Sequence, residues 1–257
     1  MSELVRPDGC RLYFETHGDQ GAAPIVLLEG MGGDIPGWRH NIPTLAEHLF
    51  VLAYDFRGNG RSDAPDEPTT MATFVEDTTA LLDHLDLDSA HLYGQSFGGM
   101  VAQEIALSRP ERVRSLILAA THCGGDNAIR SEAKTPKDKP YLALYSPSFA
   151  REHPDHVEED VLVGSQNPQK PHAGRRQWEA IRDFDSCDRL AGIRVPTLIL
   201  HGTQDQMVPV ENARMLADRI PGAELVLLEG AGHVYHSEQP ARADRAVLEF
   251  IGRNARA

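Results

Sequence analysis

The amino-acid sequence predicts an α/β protein with a mostly parallel central sheet and helices on both of its faces. Short apolar runs bounded by Gly, Pro and Asp alternate along the chain with amphipathic stretches of helical length. This alternation is typical of strands that are joined by crossover helices. The chain has 257 residues, of which 41% are hydrophobic and 25% are charged. That composition is ordinary for a globular protein and excludes a disordered, collagen-like or disulfide-framework chain.

Seven strands are predicted in the order of the chain. Residues Leu12–Thr16 alternate in polarity, which is the pattern of a strand. The other six are compact apolar runs, and such runs are typical of strands that are buried on both faces. These six are Ile25–Leu28, Phe50–Tyr54, His91–Tyr93, Ser115–Ala119, Thr197–Leu200 and Glu224–Leu228.

Five helices are predicted between and after these strands, because apolar residues recur there every three or four positions. In the second helix, for example, Phe74, Leu81 and Leu85 fall on one face. Pro110 predicts the end of the third helix just before it. The five helices are Pro43–Leu49, Met71–Leu85, Met100–Leu107, Glu211–Arg219 and Ala241–Ile251.

One segment, residues 124–190, breaks this alternation because it contains no strand-like run. All four lysines of the chain lie in it, together with an aromatic cluster and Trp178. The aromatic content disfavours a disordered linker, which is the alternative interpretation. We therefore predict one α/β domain, residues 1–123 and 191–257, into which residues 124–190 are inserted as a helical segment between two strands.

Charge and cysteine content limit the partners and the compartment. The formal net charge of −13 disfavours nucleic acid as a partner, because phosphate binding needs a basic surface. The three cysteines have no C-x-x-C spacing, so neither a disulfide framework nor a zinc site is predicted, and a reducing interior is favoured. The first residues contain no basic-then-apolar signal region, and no apolar run approaches the ~20 residues of a membrane span. We therefore expect a cytoplasmic protein with no membrane partner.

The strongest motif is Gly94-Gln95-Ser96-Phe97-Gly98-Gly99, which matches G-x-S-x-G between a predicted strand and a predicted helix. In that context the serine lies on a sharp turn at the carboxyl edge of the sheet, with its hydroxyl exposed. The N-terminus of the following helix offers free N–H groups and a positive dipole to a developing oxyanion. The motif therefore predicts Ser96 as a nucleophile.

A serine nucleophile needs a base, and a histidine in a loop after the last strand is the best candidate. His233 lies in Gly230-Ala231-Gly232-His233, directly downstream of that strand. His236 is the local alternative as base. His201, at the end of an earlier strand, is expected to orient a loop by hydrogen bonding instead.

The base needs an acid that orients it, and this acid is expected in the loop after the strand Thr197–Leu200. Asp205 occupies that loop, and the order Ser96, Asp205, His233 is the order this architecture uses. Asp126 is the alternative acid.

The oxyanion of an attacked carbonyl group needs backbone donors. We expect them to be the N–H groups of Met31, in the glycine-rich loop after Ile25–Leu28, and of Phe97. Asp55 and Arg57, which follow the next strand, are expected to brace loops.

With these features in place, the chain resembles the α/β-hydrolase fold superfamily over nearly its whole length. The matching motifs are Leu27–Gly33, Asp55–Ser62, Gly94–Gly99, Gly202–Asp205 and Gly232-His233. Within the superfamily it resembles the cap-bearing esterases, enol-lactonases and cofactor-free haloperoxidases. The resemblance implies a Ser96/His233/Asp205 triad and makes residues 124–190 a cap over the site. One position departs from the pattern, because many members have His-Gly where this chain has Glu29-Gly30.

Together these observations predict a serine hydrolase that cleaves carboxylic esters or lactones of small molecules through an acyl-enzyme, with no cofactor and no metal. Gly30, Trp178 and Tyr145 are expected to contact the substrate. Basic residues between Lys134 and Arg176 are candidates to bind a substrate carboxylate. Three alternatives stay open: C–C bond hydrolysis, a perhydrolase or haloperoxidase-like activity, and a non-catalytic small-molecule receptor. The oligomeric state is not predicted.

Overall fold

The computed structural model describes residues 3–133 and 137–254, and its centre is an eight-stranded sheet in the order β1-β2-β4-β3-β5-β6-β7-β8. Strands β3 to β8 run parallel, whereas β1 and β2 are antiparallel to their neighbours. The predicted α/β class and mostly parallel sheet are therefore confirmed. The strands are β1 Glu3–Val5, β2 Arg11–His17, β3 Pro24–Leu28, β4 Phe50–Tyr54, β5 Ala90–Gln95, β6 Val113–Ala119, β7 Thr197–Gly202 and β8 Glu224–Leu228. Only β1 was not predicted, because three residues are too few for a hydrophobic pattern.

All five predicted helices are present, together with four others in the part of the chain that the structure describes. The α3 helix begins three residues earlier than predicted, because Gly98 and Gly99, which are poor helix formers, are required there by tertiary packing. The α1 helix ends three residues earlier than predicted and α9 ends three residues later. The helices are α1 Ile42–Ala46, α2 Met71–His84, α3 Phe97–Ser108, α4 Pro147–Glu152, α5 Pro154–Gly164, α6 Pro171–Arg182, α7 Glu211–Arg219, α8 Tyr235–Glu238 and α9 Pro240–Asn254. None of these helices has the length and apolar character needed to cross a bilayer.

The helices form two layers, one on each face of the sheet. On one face α2, α3 and α7 bury a cluster that includes Phe74, Ile105 and Leu216. On the other face α1 and α9 bury a second cluster that includes Leu45 and Phe250. Because helices cover both faces of the sheet, polar side chains that could bind a ligand are expected in the loops at the carboxyl ends of the strands.

The inserted segment, residues 124–190, lies between β6 and β7. Its described part contains α4, α5 and α6, and its one strand-like feature is an isolated bridge between Gly124 and Asp185. A disulfide joins Cys123 to Cys187, at the two ends of the segment. The sequence did not predict this bond, because the two cysteines are 64 positions apart and no local spacing marks them as partners. Cys10 is free and buried.

Candidate active site

Ser96 lies on the turn between β5 and α3 at the carboxyl edge of the sheet. Its backbone has φ +52° and ψ −112°, a conformation rarely adopted by non-glycine residues. The turn is possible because its flanking positions are glycines: a Cβ on Gly98 would collide with the backbone of Leu28, and one on Gly94 with Gly98 itself. Ser96 N–H donates to the Ala119 carbonyl at 2.8 Å, which fixes the turn against β6. Phe97 is the first residue of α3, so its N–H has no acceptor within the helix.

His233 and Asp205 are brought together by the loops after β8 and β7. His233 Nδ1 lies 2.8 Å from Asp205 Oδ2, and the other carboxylate oxygen accepts the N–H groups of Met207 and Val208 at 2.8 and 2.9 Å. Although burial alone acts in the opposite direction, His233 and His201 hold the pKa of Asp205 well below its ordinary value. Asp205 is therefore an ionised acceptor, and it fixes the imidazole so that Nε2 is the free nitrogen.

Asp205 also contacts a second imidazole. His201, fully buried at the end of β7, has its Nε2 2.9 Å from the Val208 carbonyl oxygen and 3.2 Å from Asp205 Oδ2. The prediction that His201 orients a loop is confirmed by the first contact. The contact of His201 with Asp205 was not predicted, because a triad motif pairs the acid with a single histidine and no sequence pattern indicates a second one.

The loop after β3 approaches Ser96 from the other side. A Cβ on Gly30 would lie in ordinary contact with Ser96 Cβ, at 3.5 Å, but would collide with Gln95 Oε1, so glycine is needed here for the loop to pack against Gln95. The Gly30 N–H is taken by Glu29 Oε1 at 2.9 Å, whereas no acceptor for the Met31 N–H is found among the described residues. Asp55 braces this loop, as predicted, by accepting the N–H groups of Ile35 and Arg61, both at 2.8 Å.

A cavity of about 590 Å³ connects these residues with the inserted segment. Its walls include Ser96 and His233, together with five other positions that were predicted to stabilise an oxyanion or to contact the substrate. Those other positions are Gly30, Met31, Phe97, Tyr145 and Trp178. No hydrogen bond joins Ser96 to His233 in the described structure, so their common cavity is what relates them.

The mouth of the cavity is apolar. Eight large hydrophobic side chains are exposed in the described part of the chain, and four of them line this cavity. The four come from separate segments and are Met31, Ile129, Trp178 and Met207. Trp178 is 55% exposed. A concentration of exposed apolar side chains around one cavity marks a binding site for an apolar group.

One polar cluster of the cavity wall was missed by sequence reasoning. Asp160 on α5 accepts hydrogen bonds from Tyr145 at 2.7 Å and from Ser237 at 2.6 Å, and it forms an ion pair with Arg39. His156 Nε2 lies 2.8 Å from Ser237 Oγ in the same cluster. These residues are far apart in the sequence, and no local motif marks them, so the pattern gave no signal.

The cluster includes a group with the composition of a metal site. One ligand atom each from His40, His156 and Asp160 lie within 4.8 Å of one another. The guanidinium of Arg39 already forms an ion pair with the Asp160 carboxylate, and its positive charge would repel a metal cation there. The two imidazole rings are also stacked, with centroids 5.1 Å apart. These features oppose metal binding by this group, and we assign none to it.

Three alternatives from the sequence receive no support from the structure. Asp126 is exposed and is not bonded to a histidine among the described residues. His236 is buried against Trp38, and burial lowers its pKa to about 3, so this ring is held neutral without a carboxylate partner. The described basic residues from Lys137 to Arg176 do not line the cavity, so the expectation that they bind a substrate carboxylate there is wrong; Lys134 lies outside the described residues.

Comparison with known proteins agrees with this architecture. The model of the alpha/beta hydrolase fold family matches residues 23–163 and 156–240. The chain therefore belongs to the alpha/beta hydrolase fold family.

Relatives of the chain carry the names of hydrolases. A protein of Azorhizobium caulinodans with the provisional name carbamate hydrolase RutD is 31% identical over 253 residues, which cover 94% of this chain and 95% of that protein. A hydrolase from Pseudomonas aeruginosa PA01 superposes with a TM-score of 0.87 at 31% identity, and 98% of each chain is covered. The enol-lactonase of Burkholderia xenovorans LB400 superposes with a TM-score of 0.85 at 25% identity, with 97% of this chain and 99% of that chain covered. The family and these names support a hydrolytic activity.

Proposed function

We propose that the chain is a serine hydrolase that cleaves small carboxylic esters or lactones through an acyl-enzyme. One observation carries this proposal: the elbow serine Ser96 and His233, whose Nδ1 is hydrogen-bonded to Asp205, line one cavity. The required chemistry needs a nucleophile, a base and an acid in that relation, and this chain offers all three without a cofactor.

The proposed reaction has two halves. His233 Nε2 takes the proton of Ser96 Oγ, and the oxygen bonds to the carbonyl carbon while the Met31 and Phe97 N–H groups stabilise the oxyanion. The C–O bond to the alcohol then breaks, and His233 returns the proton to the departing oxygen. In the second half water takes the place of serine, and the carboxylic acid and free Ser96 are formed. Asp205 stabilises the imidazolium at both stages.

The lining of the cavity favours substrates that carry an apolar group. Four exposed apolar side chains lie at its mouth, and Arg39, one of its cations, is neutralised by Asp160. We therefore propose that residues 124–190 act as the cap over the site and that Trp178 contacts the apolar group of the ester. Tyr145 supports the wall through Asp160.

Lactones are a second candidate substrate, favoured by the enol-lactonase among the similar structures. A lactone is a cyclic ester, so Ser96 would attack it in the same way. Its alcohol would remain attached to the acyl group, and water would then release the ring-opened acid from Ser96 as a single product.

Hydrolysis of p-nitrophenyl butyrate by the wild type and by Ser96→Ala tests the proposal. We expect the substitution to lower kcat by at least about 10³-fold, because the nucleophile is lost, and to abolish labelling by a fluorophosphonate. A panel of esters, lactones, vinylogous diketones and peracid-forming conditions separates ester hydrolysis from C–C hydrolysis and perhydrolysis. Equal rates for the wild type and the variant on every substrate would favour a receptor and contradict the proposal.

We also propose the cytoplasm as the compartment, and the Cys123–Cys187 disulfide is the one observation that counts against this proposal. Disulfides are rare in a reducing cytosol. Trapping of free thiols in lysates, followed by mass spectrometry of Cys123 and Cys187, measures whether the pair is reduced in cells. A fully oxidised pair would contradict a reducing compartment.

A further inference from the structure

Glu29 occupies a position where a charged side chain is costly. It is 7% exposed, it follows β3 directly, and it precedes the loop that carries Met31, the proposed oxyanion donor. Its carboxyl group folds back under the loop against Gly33 and Gly37, where any larger side chain would collide with it. The proposed mechanism uses neither oxygen of this carboxyl group.

The contacts of this carboxyl group favour its neutral form. Oε1 accepts the Gly30 N–H at 2.9 Å, but Oε2 is buried without a partner among the described residues. A buried carboxylate with one oxygen unpaired costs more free energy than a neutral carboxylic acid at the same place.

The charged groups around Glu29 add to this preference. Asp34 lies on the same loop and Asp55 follows β4, and both repel a second negative charge, while His233 after β8 attracts it. The guanidinium of Arg39, in the same cavity, is already paired with Asp160. Burial, together with the two aspartates, raises the pKa of Glu29 to about 7.

The reaction adds a further negative charge at this place. Attack by Ser96 puts an oxyanion at the N–H groups of Met31 and Phe97, and Gly30, which holds Glu29 Oε1, abuts Ser96 itself. An ionised Glu29 would oppose this oxyanion across a poorly solvated gap. We propose that Glu29 must be protonated for acyl transfer at Ser96, so that it sets the alkaline limit of the activity and acts as a positioning residue of the oxyanion site. This inference rests on the proposed function.

The pH dependence of kcat/KM for p-nitrophenyl butyrate tests the role of Glu29. In the wild type we expect a fall of about 50-fold from pH 7 to pH 9, which is the ratio of protonated fractions for a group that titrates near pH 7. Glu29→Gln keeps an acceptor for the Gly30 N–H and cannot ionise. We expect this variant to lack the alkaline fall and to exceed the wild type at pH 9 by at least about 10-fold.

Asp34→Asn is the matched control, because it removes a buried acid from the same loop but leaves Glu29 in place. It removes a negative charge that favours protonation of Glu29, so we expect the alkaline fall to persist and to move to lower pH. Thermal unfolding of each variant shows whether it is folded.

Infrared difference spectra give a readout that does not depend on turnover. We expect the wild type minus Glu29→Gln difference to show a protonated-carboxyl C=O stretch at pH 6 that disappears by pH 9. An active wild type whose alkaline fall survives in Glu29→Gln would overturn the role of Glu29 alone. Equal inactivity of the wild type and Ser96→Ala on every ester would instead overturn the proposed function, and the infrared band would still report whether Glu29 is neutral.

Discussion

The sheet edge and the inserted segment form two sides of one cavity, but different interactions hold them in place. At the strand ends, Asp205 is fixed by N–H groups two and three positions away, and Ser96 is fixed by the backbone of its own turn and by the hydrogen bond from its N–H to the Ala119 carbonyl. On the inserted segment, Asp160 depends on Ser237 and Arg39, which are 77 and 121 positions away.

We infer from this difference that the strand ends determine the rate of the chemical step, whereas the inserted segment determines the shape of the pocket. Backbone contacts hold the groups that we propose to react, so changes there should alter the rate of the chemical step and little else. Distant side-chain contacts hold the inserted segment, so changes there should alter stability and substrate affinity and leave the chemical step nearly intact.

The largest effect is expected at the sheet edge, for Asp205→Asn. An amide at this position favours the wrong imidazole tautomer, so we expect kcat to fall by about 10⁴-fold. Steady-state ester hydrolysis measures the change, and thermal unfolding should show a much smaller one. Asp126→Asn, at an exposed acid outside the cavity, is the control and should leave kcat unchanged. A loss of kcat in the control but not in Asp205→Asn would assign the acid to Asp126.

The same division explains how much the sequence could predict. The elbow at Ser96, the loop of Asp205 and the loop of His233 are local motifs at strand ends, and their residue types and order predicted their places in the fold. The Asp160 cluster and the Cys123–Cys187 bond join residues that no local pattern relates. Their pairing depends on how α5 and the ends of the inserted segment pack, which a single sequence does not specify.

The second largest effect is expected on stability, when the disulfide that joins the two ends of the inserted segment is removed. The disulfide closes a loop over 64 positions, and the chain-entropy model assigns such a closure about 4 kcal/mol. We therefore expect Cys187→Ser to lower the melting temperature by roughly 10 °C, with kcat of the folded protein nearly unchanged. Calorimetry with and without reductant measures this: the reductant should destabilise the wild type and leave the variant unaffected. Equal responses of the two proteins would mean that the bond contributes nothing.

Asp160→Asn should cost somewhat less, about 2–3 kcal/mol, because it leaves Arg39 without its partner and weakens the hydrogen bonds from Tyr145 and Ser237. We expect KM to rise and kcat to change little. The control is Glu104→Gln, which breaks a more exposed ion pair between the inserted segment and α3 and should cost less than about 1 kcal/mol.

The pH dependence of the free energy of unfolding tests whether the Asp160 carboxylate stabilises the fold through its charge. Burial alone would raise the pKa of Asp160, but the hydrogen bonds from Ser237, Tyr145 and Arg39 hold it below its ordinary value of 3.8. A carboxylate with a lowered pKa stabilises the fold above the pKa of the unfolded chain, and this contribution is lost as pH falls through the folded-state pKa. The stability difference between the wild type and Asp160→Asn should therefore be constant above about pH 5 and shrink below pH 4. A difference that is independent of pH down to pH 2 would assign the effect to packing instead.

The smallest effect is expected at His201, which tests whether a residue can act on the chemistry through Asp205. Its Nε2 lies 3.2 Å from Asp205 Oδ2, so it helps to hold the carboxylate in the orientation that His233 requires, and it also offsets part of the negative charge that acts on His233. We expect His201→Phe to lower kcat/KM by about 10-fold, the equivalent of one hydrogen bond to a charged group, and to move the acidic limb of the pH profile to higher pH. His201→Gln retains an N–H group near the position of Nε2 and should restore both the rate and the limb. A purely structural role would lower the amount of folded protein without moving the limb, and that result would leave Asp205 held by its backbone contacts and His233 alone.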